Sequence, residues 1–241
     1  MSYPIPAGGL AAVLAHPDDE SFGCAGALAL AHDAGAATRL LVVTRGEAGS
    51  ADGEPDPALG DRREAELITA AREIGLDEVS LLDGYADGGI ADQPFDALVE
   101  EIAAWLADRR PQAVITFGPH GVTGHPDHIV VGSATRWAVE RLAESGIAPN
   151  AVYVISPIFD PGGNLFDLSV EEQSATHRID VTAVAPRKLA ALKAHASQGD
   201  TADEIAALRA AIDAERTIHE GYTRVRPLVP APHPNFDTRL L

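Results

Sequence analysis

The stretch "LAAVLAHPDDESFG" (residues 10–23) changes character abruptly after its sixth residue. Leu10 to Ala15 are all apolar, and a histidine, a proline and three acids, Asp18, Asp19 and Glu20, follow. An unbroken apolar run of this length reads as a strand buried on both faces, as in a parallel sheet. The three adjacent carboxylates repel one another, so something must offset that repulsion.

Outward from this point the chain alternates regularly. Further apolar strands are expected at 38–44, 78–84, 113–118 and 151–156, with helices at 21–36, 62–76, 95–110 and 127–146 between them. Short apolar strands separated by helices imply βαβ units and a parallel sheet. After Ser156 the order changes: a loop over 157–174, an edge strand over 177–182, then helices over 185–197 and 201–222. The proline-rich "RPLVPAPHPNF" (226–236) is read as irregular. The expected fold is α/β, a Rossmann-like three-layer sandwich with a mostly parallel sheet and a small C-terminal embellishment. We read residues 1–241 as a single domain, with a core of about 8–200 and a C-terminal helix and tail at 201–241. In the order 3-2-1-4-5, strands one and four are neighbours where the winding reverses, and ligands bind there outside the strand ends.

The chain carries 36 Asp and Glu against 18 Lys and Arg, a formal charge of -18. Such a surface repels phosphate backbones and anionic membranes, so no nucleic-acid partner is expected. No apolar run approaches the roughly 18 residues of a membrane span. "MSYPIPAGG" has no basic segment leading into an apolar one, and the single cysteine, Cys24, cannot form an intramolecular disulfide. A cytoplasmic location is the default expectation. Cys24 itself reads as a small packing residue in an Ala/Gly-rich helix.

Two clusters meet in the assumed topology. Strand one runs into "HPDDE" (16–20), and strand four into "GPHGVTGHPDH" (118–128). Each alone reads equally as an acidic helix start, since acids favour the first turn of a helix. Together, at the ends of adjacent strands, they supply two histidine-and-carboxylate sets for one divalent cation, which would offset the acids' repulsion. His16 and Asp19 can share an ion if the chain turns after Pro17. Of His125 and His128, only one is needed as a ligand, leaving the other to face substrate. His, His and carboxylate suit a catalytic zinc with an open position for water. Zinc acidifies that water and a spare carboxylate accepts its proton, so hydrolysis of an amide or ester follows.

"AHPDDESFG" paired with "TGHPDH" resembles the LmbE-like family of de-N-acetylases, related to N-acetylglucosaminylphosphatidylinositol deacetylase (PIG-L). "TRGEAG" (44–49), "RREAEL" (62–67), "LLDGYADGG" (81–89) and "KLAALKAHASQ" (188–198) match its style, so the likeness runs from about residue 10 to residue 200. The resemblance implies His16, Asp19 and His128 as metal ligands, Asp18 as general base, and His125 as the group that stabilises the intermediate or protonates the amine. It implies that Asp127 tunes His125, which as an imidazolium would stabilise developing charge. Zinc is the implied metal, with ferrous iron able to occupy such sites. Arg63 resembles a substrate-contacting arginine, and Asp87 a contact to substrate hydroxyls; substitutions at either are then expected to change substrate choice and spare the metal. The alternatives are a surface arginine and a turn aspartate. Where some relatives carry an aromatic hydroxyl, this loop offers Thr123 and His120. Glu20 reads as supporting or helix-capping, Arg45 and Glu47 as rim residues, and His195 as a capping or packing histidine outside the site.

The implied activity is removal of an N-acyl group, foremost acetyl, from an amino-sugar-containing small molecule. The alternatives are the same machinery acting on a sugar-linked thiol conjugate, and a non-catalytic sugar- or nucleotide-binding module. Against nucleotide binding stands the absence of G-x-G-x-x-G after strand one, where the acids would repel a pyrophosphate. The sequence leaves open whether the chain forms homo-oligomers.

Overall fold

Residues 9–49, 55–158, 168–199 and 201–227 are described in a computed structural model of the chain. Five parallel strands, β1 (Leu10–Leu14), β2 (Thr38–Val42), β3 (Glu78–Leu81), β4 (Ala113–Thr116) and β5 (Ala151–Ile155), lie in the order 3-2-1-4-5. All five residues of β1 are sealed from solvent, as its uninterrupted apolar sequence requires of a central strand. Right-handed crossovers send the connections towards β3 to one face of the sheet and those towards β5 to the other. The first group is α1 (Asp19–Gly23), α2 (Ala25–Asp33) and α3 (Pro57–Ile74); the second is α4 (Phe95–Arg109) and α5 (Pro126–Glu144), which pack on each other. The winding reverses between β1 and β4, which places the ends of those two strands at one crevice.

The C-terminal part departs from the sequence expectation. After the short α6 (Val170–Gln173), β6 (His177–Asp180) is the edge strand, and α7 (Ala185–Ala194) packs on α2 and α3. The long helix expected over 201–222 stops early: α8 spans Thr201–Asp213, and His219–Arg226 forms β7. This strand inserts antiparallel between β5 and β6. The physical reason lies in composition. The alanine- and acid-rich first half favours helix, whereas "TIHEGYTRV" combines β-branched residues, an aromatic and a glycine, which disfavour it. Of the 226–236 tail only Arg226 and Pro227 fall within the described residues, and 159–167 of the expected loop also lie outside them. Among the described residues no helix is long and apolar enough to cross a membrane.

The helix expected over 21–36 is broken at Cys24 into α1 and α2. A break leaves carbonyls at the end of one helix and N–H groups at the start of the next without partners. Here β7 and α7 supply them. Glu220 accepts from Gly26 N–H (2.9 Å) and Ala27 N–H (2.8 Å), Lys188 donates to the Phe22 carbonyl (2.7 Å), and the Tyr222 hydroxyl donates to the Gly23 carbonyl (3.1 Å). Lys188 and Glu220 are themselves paired at 2.7 Å, both buried. A Cβ on Gly26 would fall 2.6 Å from the Val181 side chain and 2.9 Å from Glu220 Oε1, so only glycine lets the carboxylate reach the backbone. Cys24 is fully buried beside this network, and burial together with Glu220 pushes its thiol pKa up, consistent with an unreactive packing residue.

Glu220→Leu would strand the Lys188 charge and two N–H groups in the interior. It is expected to lower unfolding free energy by about 3–5 kcal/mol, measured by urea denaturation. A loss under about 1 kcal/mol would show that the helix break is held by packing alone.

Candidate active site

Past β1 the chain turns sharply and α1 begins. The Asp19 carboxylate folds back over the strand end, where Oδ2 accepts from the backbone N–H groups of His16 (2.8 Å) and Ala15 (3.2 Å). The other oxygen, Oδ1, is 3.2 Å from His128 Nε2. Asp18 occupies an unusual backbone position, φ 110 and ψ -31. Its Oδ2 accepts from the Arg63 guanidinium at 2.8 Å.

Past β4, residues 118–124 form a loop that ends at His125, the residue capping α5. His125 Nδ1 accepts from Asp127 N–H at 3.2 Å. His128, in the first turn, is stacked on Phe117 with ring centroids 4.1 Å apart. Its Nδ1 lies 2.9 Å from the Gly121 carbonyl, which requires the proton on Nδ1 and leaves Nε2 free as a donor of electrons. Gly121 has φ +63, and an added Cβ would meet His128 Cβ at 2.6 Å, so this turn needs glycine. The loop is fastened from outside by the buried Glu172, which accepts from Val122 N–H (2.8 Å) and His120 N–H (3.2 Å).

The two strand ends meet at His16. Its Nδ1 is 3.2 Å from His128 Nε2 and 3.7 Å from Asp19 Oδ2. Its Nε2 faces Asp87 Oδ1 at 3.0 Å and Asp127 Oδ2 at 3.3 Å. Ligands about 2.1 Å from a tetrahedral zinc lie about 3.4 Å from one another. His16 Nδ1 and His128 Nε2 are thus spaced as two ligands of one such cation, and Asp19 stands beside both, with Oδ1 towards His128 and Oδ2, which the backbone holds, towards His16. The donor chemistry fits as well, because each imidazole has a carboxylate or carbonyl acceptor for its other N–H, the arrangement that orients metal-ligating histidines. His16, His125 and His128 also each offer a nitrogen within 4.8 Å of the others, although Nδ1 of His125 is taken by the backbone.

The electrostatics call for positive charge here. Burial opposes protonation of His16, but hydrogen bonds to Asp127 and Asp87 and the charge of Asp19 outweigh it and push its pKa up to about 10. Burial also opposes ionisation of Asp19, yet His128 and His16 hold its carboxyl well below the usual range. Asp18 goes the other way: burial and the neighbouring Asp19 raise it, against the pull of Arg63. Burial and the two neighbouring histidines lower the pKa of His125, favouring the neutral ring over the imidazolium expected from the sequence.

Several expected contacts differ in kind. Arg63 is only 3% exposed. It donates to Asp18, to the Pro17 carbonyl (2.5 Å) and to the Gly46 carbonyl (2.9 Å), so it anchors the turn and has little left for a sugar. It is buried rather than a surface arginine, and it stands in the lining of the cleft. Asp87 uses Oδ1 on His16 and Oδ2 on Ala48 N–H (3.0 Å), while its own N–H is held by Glu47 (2.9 Å). Asp127 accepts from Gly88 N–H (2.7 Å) and Ile90 N–H (3.2 Å) and faces His16, and its charge also acts on His125, against the lowering of that ring's pKa. Thr123 Oγ1 sits 3.4 Å from His128 Nδ1 and accepts from His125 N–H at 3.3 Å. Arg45 pairs with Glu64 and Asp61 on the surface. His195 is fully buried against Glu20. Sequence reasoning misses Glu172; the "SVEE" capping box around it is the one local signal.

Over these groups opens a cleft of about 1620 Å3, lined by His16, Asp18, Asp19, Thr123, His125 and His128 and walled further out by Phe22, Ile158 and Leu208.

Residues 11–139 match the family model described as PIG-L, GlcNAc-PI de-N-acetylase. A Kineococcus radiotolerans protein named 1D-myo-inositol 2-acetamido-2-deoxy-alpha-D-glucopyranoside deacetylase is 33% identical, over 77% of this chain and 67% of its own length. One of the same name from Mycobacteroides abscessus is 31% identical, over 80% and 82%. Among solved structures, a conserved protein from Thermus thermophilus, TT1542, superposes with a TM-score of 0.69 at 25% identity, over 94% of this chain and 96% of that one.

Because Asp87 grips His16, its substitution should reach any bound cation. Asp87→Asn is expected to weaken divalent-cation affinity by about 10- to 100-fold in chelator competition. An unchanged affinity would return Asp87 to a contact with substrate.

Proposed function

The chain belongs to the PIG-L family of GlcNAc-PI de-N-acetylases, and on that footing we propose that it is a metal-dependent N-deacetylase of an amino-sugar-containing small molecule. The observation that carries this reading is the gathering of His16, Asp19 and His128 from two strand ends, with the two imidazole nitrogens 3.2 Å apart and Asp19 Oδ1 3.2 Å from His128, beside a further buried acid. These residues would hold a divalent cation, zinc or ferrous iron. Bound there, such an ion supplies Lewis acidity that polarises an amide carbonyl and acidifies a water molecule.

The protein's own groups do the remaining work. Asp18 accepts the proton of the attacking water; its burial, which raises proton affinity, suits a base working near neutral pH. Arg63 keeps that carboxylate in place and limits its wandering in the turn. His125, neutral with Nδ1 occupied by Asp127 N–H, carries its proton on Nε2. That N–H is available to the oxyanion that develops as the carbonyl carbon becomes tetrahedral. When the C–N bond breaks, the proton taken from water passes to the departing amine, giving the free amino sugar and acetate. Asp87 and Asp127 hold His16 Nε2–H, so that Nδ1 faces inward.

The sugar is the finer part of the proposal. The relatives' printed names specify an acetamido-glucopyranoside of inositol, and an N-acetylglucosaminyl glycoside is the first substrate to try.

Elemental analysis of wild type is expected to give about one zinc or iron per chain, lost in His128→Ala. Asp18→Asn should keep the ion while acetate release falls about 10²- to 10⁴-fold. Wild-type turnover in Asp18→Asn would remove Asp18 from the mechanism.

A further inference from the structure

The mechanism leaves unused a buried acid–base pair at the turn that carries Asp18. Glu20 and His195 are both 0% exposed, and His195 Nε2 lies 2.7 Å from Glu20 Oε1. Glu20 stands in the first turn of α1, and His195 is the residue that closes α7. Neither lines the cleft. An acid at an exposed helix start needs no such partner, because water and the helix dipole suffice. Sealing Glu20 from water and pairing it with a residue 175 positions away therefore calls for a reason.

The reason lies in the other carboxylate oxygen. Glu20 Oε2 accepts from the Asp18 N–H at 3.1 Å, while Oε1 also accepts from the Ser21 hydroxyl at 2.6 Å. Asp18 sits at φ 110, a region that L-residues rarely adopt. Such a conformation persists only where the surroundings over-determine it. Three restraints act on Asp18. Its carbonyl accepts from the N–H groups of Ser21 (2.8 Å) and Phe22 (3.1 Å), its carboxylate accepts from Arg63, and its N–H donates to Glu20. The first is ordinary helix initiation, and the second fixes only the side chain. The third pins the backbone itself, and it is as firm as the group that holds Glu20. His195 is in turn fixed by the segment after α7. There the Ser197 N–H (3.0 Å) and hydroxyl (2.7 Å) donate to Glu66 on α3, the helix that carries Arg63.

We propose that Glu20 and His195 form a positioning pair for Asp18, holding its backbone in the strained conformation that keeps the carboxylate at the cleft. His195 acts through Glu20, and Glu20 through the Asp18 N–H. The inference rests on the reading of Asp18 as the base. The pair sets turnover and leaves cation and substrate binding to other groups.

The test uses the zinc-loaded full chain, with acetate release from an N-acetylglucosaminyl glycoside, metal content and thermal melting as readouts. The double variant Glu20→Leu/His195→Leu removes both charges together, so neither is left unpaired, and releases the Asp18 N–H. It is expected to keep its zinc and to hold KM within about threefold, while kcat falls roughly 10- to 100-fold. His195→Asn, whose amide is too short to reach Glu20, gives the same pattern with a milder perturbation. His195→Gln, which restores a donor near the position of Nε2, returns kcat to within about threefold of wild type. Glu66→Gln loosens the segment that fixes His195 and is expected to keep zinc while lowering kcat in the same direction, by less than the double variant does. Wild-type kcat in both the double variant and His195→Asn would overturn the proposal. So would parallel losses of zinc and kcat in every variant, Glu66→Gln included, since that marks a structural role alone. Asp18→Asn run alongside separates the two readings. If it loses turnover while the double variant does not, the positioning pair fails and the base stands; if it turns over normally, the base reading itself fails.

Discussion

The contact between Asp19 and His128 across the β1–β4 crevice is the constraint on which the rest of the site depends. Asp19 closes the end of β1 through two backbone N–H groups and reaches His128 with its second oxygen. That geometry brings a second ring, His16, within 3.2 Å of His128. Four carboxylates, those of Asp18, Asp19, Asp87 and Asp127, then crowd into one poorly solvated space. Like charges so placed are tolerated only with positive charge among them, whether protons on histidine, a guanidinium or a cation. The upward shift of His16 and the buried Arg63 are two expressions of the same demand.

Around this centre the fold uses buried glutamates in a recurring way. Glu172 ties down the loop before His125, Glu220 caps the start of α2 after the break at Cys24, and Glu20 holds the turn at Asp18. In each case a carboxylate satisfies backbone N–H groups that the local chain leaves without partners, and long-range contacts hold it there. Buried polar groups are costly unless bonded, and these three carboxylates meet that condition. The result is a crevice whose loops are irregular in backbone yet restrained at nearly every turn. That is what a reaction needing sub-ångström placement requires of its scaffold.

Much of this is legible in the chain. The alternation of strands and helices follows from apolar runs and helix spacing, and the pairing of "HPDDE" with "HPDH" follows once the Rossmann-type order 3-2-1-4-5 is assumed. Two C-terminal features are not. The run from Thr217 to Tyr222 reads as the end of a helix, because the alanine-rich stretch before it dominates any periodicity count; β-branched residues around Gly221 decide the local structure instead. His195 reads as unremarkable packing until α7 is docked on α1, where it meets Glu20.

The sequence by itself determined which elements form and which chemistry gathers at the strand ends, because hydrophobic period and residue type are local properties. Only the tertiary structure decided what each polar side chain is bonded to. Arg63, Asp87 and Asp127 look from the sequence like groups for a sugar or for His125, and in the structure each also holds Asp18 or His16. The direction of a side chain, and the proton it keeps or yields, depend on neighbours 40 to 175 positions away. Those neighbours are set by packing, and no spacing along the chain encodes them.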